Sequence, residues 1–300
     1  MSIRLVLAAL LIASAPAFAQ PNREPDRDRE KYDNLLPAIG ALERGDVKQA
    51  IDTLRPLAGD NNVEAQYVLA TIFETAAPPF RDLEAAYSWY LRAAEAGHAG
   101  AQNNLGAMYY DGRGALRNPI EAAKWYRLAA DQGHAVAQTN LALMYGMGVG
   151  VELNMEEMAR LLEKAAESGV PRAQLQLGRL YLDGEGVKQN PAQALKWFRA
   201  AASQDSEAAQ FFLAVMLQRG IGGPRDLEAS TAWLLRAAEH GHRLAMLELA
   251  KAYDLGLGVP ADPAAAKSWR ERAQAKPDAN NKAQDEPSAS QRSEPRNPKR

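Results

Sequence analysis

The sequence contains no cysteine. Disulfide bridges, thiolate zinc sites and cysteine nucleophiles are therefore excluded, and a lipid-modified cysteine cannot tether the chain's N-terminus. Charge of one sign is also missing: 35 basic side chains stand against 37 acidic ones. A protein that wraps the phosphate backbone of a nucleic acid needs a basic excess, so this balance argues against nucleic acid as a partner. Aromatic residues make up only 7% of the chain. After the first twenty residues no apolar run is long enough to cross ~30 Å of hydrocarbon.

Motifs for chemistry are equally scarce. The sequence has no Gly-x-Ser-x-Gly, no His-Glu-x-x-His, no phosphate loop ending in Gly-Lys-Ser/Thr and no calcium-loop ladder of carboxylates. His240-Gly-His242 is the nearest approach to a metal site, and no further ligands are spaced to complete it. No catalytic, cofactor-binding or metal-ligating residue is assigned, and the chain is read as a non-enzyme.

What is present begins with an export signal. Arg4 supplies a positive start, Leu5 to Ala13 an apolar core, and Ala17-Phe18-Ala19 a small-residue cleavage site. Residues 1–19 are expected to be removed, leaving Gln20 as the mature N-terminus. The protein would then be periplasmic in a Gram-negative cell and secreted otherwise.

The strongest signal is an internal repeat. Trp89, Trp125, Trp197, Trp233 and Trp269 fall on one 36-residue lattice, with Leu161 filling its gap. Ala65, Ala101, Ala137, Ala173, Ala209 and Ala245 keep the same period, and Gln66, Gln102, Gln138, Gln174 and Gln210 follow in the next column. A third column reads Asp46, Asp82, Asn118, Asn154, Asn190, Asp226 and Asp262. Asp and Asn accept hydrogen bonds from free first-turn amides, so this column predicts helix N-caps, with Pro119, Pro191 and Pro263 at the first helical position. Ala86, Trp89 and Ala93 lie at i, i+3 and i+7, predicting an inward stripe on each first helix that carries the tryptophan into the core. Ala101, Leu105 and Tyr109 do the same for the second helix. Glycine pairs such as Gly112 and Gly114 predict its end, at positions requiring positive φ. His98, His134 and His242 follow a glycine at the end of the first helix, where they are expected to cap terminal carbonyls and pack between helices.

These columns predict an all-α fold of repeated helix pairs. The expected organisation is a cleaved signal (1–19), a flexible leader (20–30), an N-terminal capping helix (31–45), a repeat solenoid (46–275) and a disordered polar tail (276–300). The solenoid comprises six helix pairs plus a closing helix, with units starting near 46, 82, 118, 154, 190, 226 and 262. The first unit is atypical, having Thr53 for tryptophan and Ala76 with Pro78 for the glycines. The fourth is divergent at Leu161 and Val170. Terminal repeats differ because they must cover an open core.

Segments such as Ala122-Ala-Lys-Trp-Tyr-Arg-Leu-Ala-Ala-Asp-Gln-Gly-His134 and Ala137-Gln138-Thr-Asn-Leu141 resemble the Sel-one-like repeat family, a branch of the tetratricopeptide-type solenoids. The resemblance runs from about Asp46 to Ala275. It implies antiparallel helix pairs stacked into a right-handed α-solenoid. It also implies a protein-binding adaptor or regulator of the cell envelope. Cysteine-rich secreted members are associated with β-lactam binding or hydrolysis, which makes a β-lactam-directed enzyme the alternative, weakened here by the missing cysteines.

On the first helices, the columns of Lys124 and Arg127 point away from the tryptophan stripe, toward what the resemblance implies is the concave groove. Lys124, Arg127, Arg160, Lys196 and Arg199 form a candidate basic stripe there, suited to an acidic peptide or a carboxylated polymer. The alternative is a solvated face, with Glu156 and Glu163 close enough to neutralise part of it.

Overall fold

The computed structural model describes residues 33–275. The expected signal, leader and tail lie outside the described residues. Among the described residues there are fourteen helices and no strand, the all-α make-up of a solenoid of repeated helix pairs.

The chain divides into two compact units at Val170 and Pro171. The first contains α1 (Leu36–Glu43), α2 (Val47–Gly59), α3 (Val63–Thr75), α4 (Leu83–Glu95), α5 (Ala99–Asp111), α6 (Pro119–Asp131), α7 (Ala135–Met147) and α8 (Met155–Glu167). The second contains α9 (Pro171–Asp183), α10 (Pro191–Ala202), α11 (Glu207–Arg219), α12 (Leu227–Glu239), α13 (Arg243–Leu255) and α14 (Pro263–Ala275). Within each unit consecutive helices pack side by side.

The predicted caps are in place. Asp46, Asp82, Asn118, Asn154, Asn190 and Asp226 each accept a first-turn amide at the start of α2, α4, α6, α8, α10 and α12, and Asp262 does so for α14. The histidines cap the opposite end from the one expected. Nδ1 of His98, His134 and His242 accepts the backbone N–H of Ala101, Ala137 and Ala245 at 3.0, 3.2 and 3.1 Å, so they open α5, α7 and α13 rather than close the helix before. The closing role belongs to the glutamine column. Nε2 of Gln66, Gln102, Gln138 and Gln210 donates to the last-turn carbonyls of Ala58, Ala94, Ala130 and Ala202.

The tryptophan stripe is also displaced from its expected place. Trp89, Trp125, Trp233 and Trp269 are only half-buried, and Trp197 alone is 92% withdrawn from solvent, being 8% exposed. The core side chain is the next residue: Tyr90, Tyr126, Leu162, Phe198 and Leu234 are all buried. It nests against a small position on the second helix, where a Cβ at Gly106 would meet the Tyr126 ring and one at Gly178 the Phe198 ring. The indoles border the core and are covered by cations, with the Arg92, Arg236 and Arg272 guanidinium groups 4.7, 4.8 and 4.7 Å from the Trp89, Trp233 and Trp269 rings.

The ends close as expected of a repeat array. α1 buries Leu35, Ala38, Ala41 and Leu42 over the first pair. At the other end α14 places Arg270 in the column that holds Tyr90 and Phe198 elsewhere; it is exposed and ion-paired with Asp254. A polar residue where the core would continue is what a terminal helix requires.

Candidate interaction surfaces

All five cations of the expected stripe are exposed. In the first unit, α6 carries Lys124 and Arg127 and α8 carries Arg160. Lys124 Nζ sits 2.6 Å from Glu121, one turn earlier. Arg160 grips Glu157 with both Nε (2.7 Å) and a terminal nitrogen (2.6 Å). That fork holds the Glu157 carboxyl below its usual range, with Arg127 and Lys164 adding to the effect, and raises Arg160. The carboxylates that hold the stripe are thus Glu121 and Glu157 rather than Glu156 and Glu163. Arg127 instead donates to the Tyr145 hydroxyl at 2.7 Å, at the edge of an open hollow lined by Val151, Glu152, Leu153 and Asn154. In the second unit, α10 carries Lys196, whose ammonium lies 4.7 Å from the Trp197 ring, and Arg199.

A second feature escaped the sequence reading. Along α3, α5 and α7 of the first unit runs a directional chain of hydrogen bonds. Asn140 donates to Asn103 (3.1 Å), Asn103 to Asn104 (3.1 Å) and Asn104 to the Tyr90 hydroxyl (3.0 Å). Tyr90 donates to Glu74 at 2.9 Å, beside Thr71, and Arg113 closes the chain on the other carboxylate oxygen at 3.0 Å. Burial, with the Glu74 charge next, raises the Tyr90 phenol well above its ordinary range, so it remains a donor. Beside the chain, Tyr67 stacks on His98 at 4.3 Å and His98 Nε2 lies 3.2 Å from Glu64. The available signal was Asn at 103, 104 and 140, poor helix formers placed inside second helices rather than at their caps.

Among the described residues no helix is long and apolar enough to cross a membrane. The exposed faces offer rows of charges and amides at repeated positions, an arrangement that suits contact over an extended surface.

The model of the Sel1 repeat matches residues 63–98, 99–134, 135–170, 171–206, 207–242 and 243–273. In that phase each unit joins a second helix to the first helix that follows it. Among solved structures the chain is similar to a Sel1 repeat protein from Oxalobacter formigenes, with 34% identity and a TM-score of 0.71 over 82% of this chain and 98% of that one. It is also similar to a protective antigen present in uropathogenic Escherichia coli strains that displays an SLR fold, with 28% identity and a TM-score of 0.76. That match covers 92% of this chain and 56% of the antigen, so the chain spans little more than half of that protein's length. No curated protein matches the sequence. Sel1 repeat proteins are generally protein-interaction scaffolds, and the family is typically non-enzymatic.

Proposed function

The chain belongs to the Sel1 repeat family, and we propose that it is an exported scaffold that assembles or regulates a cell-envelope system by holding a partner protein or peptide against its repeats. The observation that carries this reading is the exposure of the cations Lys124, Arg127 and Arg160 in the first unit and of Lys196 and Arg199 in the second. The pairs Lys124–Glu121 and Arg160–Glu157 do not cancel such a role. Exposed pairs of this kind contribute ~0–1 kcal/mol each, so carboxylates of an acidic partner compete for the same cations.

Crosslinking in intact cells followed by mass spectrometry tests the scaffold. The wild-type chain should yield a defined envelope partner, and the triple variant Lys124→Glu, Arg160→Glu, Lys196→Glu should lose it while keeping its thermal stability. Equal capture by both would remove the stripe from the binding surface. Export is tested separately: sequencing of the protein from the envelope fraction should begin at Gln20, and an intact Met1 chain in the cytosol would overturn it. Purified protein should leave a chromogenic β-lactam intact.

A further inference from the structure

Four large apolar side chains stand outward where the loop after α5 leads into α6 and the loop after α7 leads into α8. Leu116 is 91% exposed, Ile120 59%, Met147 54% and Leu153 61%. The two loops adjoin. A Cβ at Gly150 would meet the Pro119 carbonyl oxygen at 2.3 Å, so the loop after α7 lies against the first residue of α6, next to Ile120. A Cβ at Gly148 would meet the Leu153 Cβ at 3.4 Å, which sets Leu153 beside the end of α7 and Met147. All four residues belong to the first unit.

The repeat does not require apolar residues at these places. One repeat to either side, Ile120 gives way to Glu84 and Glu156, Met147 to Asp111 and Asp183, and Leu153 to Arg117 and Gln189; Leu116 gives way to Glu152 one repeat on. Single apolar side chains on a surface are ordinary. Four that adjoin, at columns where neighbouring repeats carry charges, serve contact rather than folding.

The charges among them specify what covers the patch. On the 36-residue lattice, Leu116 and Arg117 of one loop stand column against column with Glu152 and Leu153 of the next. The leucines occupy one diagonal of this square, and Arg117 and Glu152 the other. A two-fold axis lying in the contact plane along the leucine diagonal brings each leucine onto the same leucine of a second copy. It also sets Arg117 of each chain opposite Glu152 of the other. Neither charge is already spent. Arg117 Nε donates to the Tyr110 carbonyl at 3.1 Å, both side chains are exposed, and neither has an ion-pair partner among the described residues.

We propose that this edge of the first unit docks a second copy of the chain, forming an isologous dimer. Leu116 and Leu153 lie on its axis, Ile120 and Met147 widen its apolar centre, and two Arg117–Glu152 contacts flank it. The proposal does not depend on the scaffold reading or on any envelope partner.

Sedimentation of the full mature chain from about 1 to about 500 µM tests it. The mass should rise from monomer to dimer and go no further, because a two-fold contact closes on itself. Leu116→Asp and Leu153→Asp should each raise the dissociation constant by about tenfold or more. Arg117→Glu sets carboxylate against carboxylate, and Glu152→Arg sets guanidinium against guanidinium, so each variant alone should stay monomeric. Mixed in equal amounts the two should dimerise again, since both flanking contacts then pair opposite charges. Circular dichroism melts of all four variants should match wild type, as every position is exposed. A wild type that stays monomeric, a dimer that survives both aspartates, or a mixture of the two charge variants that stays monomeric would each overturn the proposal. Cosedimentation of a monomeric wild type with phosphatidylglycerol vesicles, lost in Leu116→Asp, would assign the patch to a lipid surface instead.

Discussion

Gln132 Nε2 donates to Gln102 Oε1 across 2.7 Å, and Gln204 repeats the bond to Gln174 at 2.9 Å. The recurring buried glutamine therefore has two separate needs. Its nitrogen is satisfied by a carbonyl of the helix before it. Its oxygen is satisfied by a glutamine that follows the next first helix, and only some repeats supply one. At the corresponding places after Gln66, Gln138 and Gln210 stand Ala96, Ser168 and His240, and those three buried Oε1 atoms have no hydrogen-bond partner.

The first prediction is a repair. Ser168→Gln supplies the missing donor to Gln138 Oε1 from an exposed position at the end of α8. The Ser168 hydroxyl bonds only the Lys164 carbonyl at the surface, so little is lost. An unsatisfied buried acceptor costs ~1–3 kcal/mol and a typical net hydrogen bond contributes ~1 kcal/mol, so urea denaturation should show a gain of about 1 kcal/mol. No gain would mean that Gln138 is already solvated. Gln132→Ala should produce the matching loss at Gln102.

A second prediction separates the tryptophan column from its neighbour. Phe198 is 0% exposed and stacks on Phe212 at 5.1 Å, so Phe198→Ala should destabilise by ~3–5 kcal/mol. Trp233→Ala should fall below that range, because the indole is half-buried and roofed by Arg236 rather than by core. A larger loss at Trp233 than at Phe198 would reverse the assignment of the core column.

These two columns mark how far the sequence could be read. Repeat length, helix boundaries and Asp/Asn caps were legible because each depends on local chemistry at a fixed offset. The inward face was harder, since every column of a repeat recurs with the same period, whether buried or exposed. Ala86, Tyr90 and Ala93 make as good an i, i+4, i+7 stripe as Ala86, Trp89 and Ala93, and only packing against Gly106 or Gly178 decides between them. The histidines lie between two helix ends, so position alone left open which end they cap. The Asn140-to-Glu74 chain joins side chains from three repeats, so Asn103, Asn104 and Asn140 mark polar positions in the sequence without showing which partners they reach. The five stripe residues were legible as exposed, but the sequence did not reveal that Glu121 and Glu157 hold two of them.

The third prediction concerns the residue before each second-helix cap. Gly97, Gly133, Gly169 and Gly241 adopt φ of 93°, 84°, 87° and 101° there, whereas the same place is Asp205, at φ 60°. A left-handed conformation is unfavourable for a side chain by ~1–2 kcal/mol, part of which the greater freedom of unfolded glycine offsets. Asp205→Gly should therefore raise stability by up to about 1 kcal/mol in the second unit, read as a higher melting midpoint. A lower midpoint would show that the Asp205 side chain contributes more than its backbone strain removes.

The last prediction follows from the direction of the histidine caps. His134 Nδ1 accepts the Ala137 N–H, so that nitrogen carries a lone pair and the ring proton sits on Nε2. Protonation turns the acceptor into a donor facing a donor and breaks the cap. Burial lowers the His134 pKa, and the nearby His98 lowers it further. The unfolded chain, with an ordinary histidine near pH 6.5, therefore binds this proton before the folded one does. The stability it contributes is complete above about pH 6.5 and is lost as pH falls from there through the lower folded value. His134→Asn removes the titration and keeps the cap, as Asn62 does at the start of α3 by accepting the Ala65 N–H at 2.9 Å. Urea midpoints of wild type and His134→Asn should run parallel above neutral pH and diverge below about pH 6.5, with the variant retaining more stability in acid. Carboxylates that titrate at lower pH act on both proteins, so the difference between the two curves isolates His134. Curves that stay parallel through this window would show that the α7 cap does not titrate with the fold.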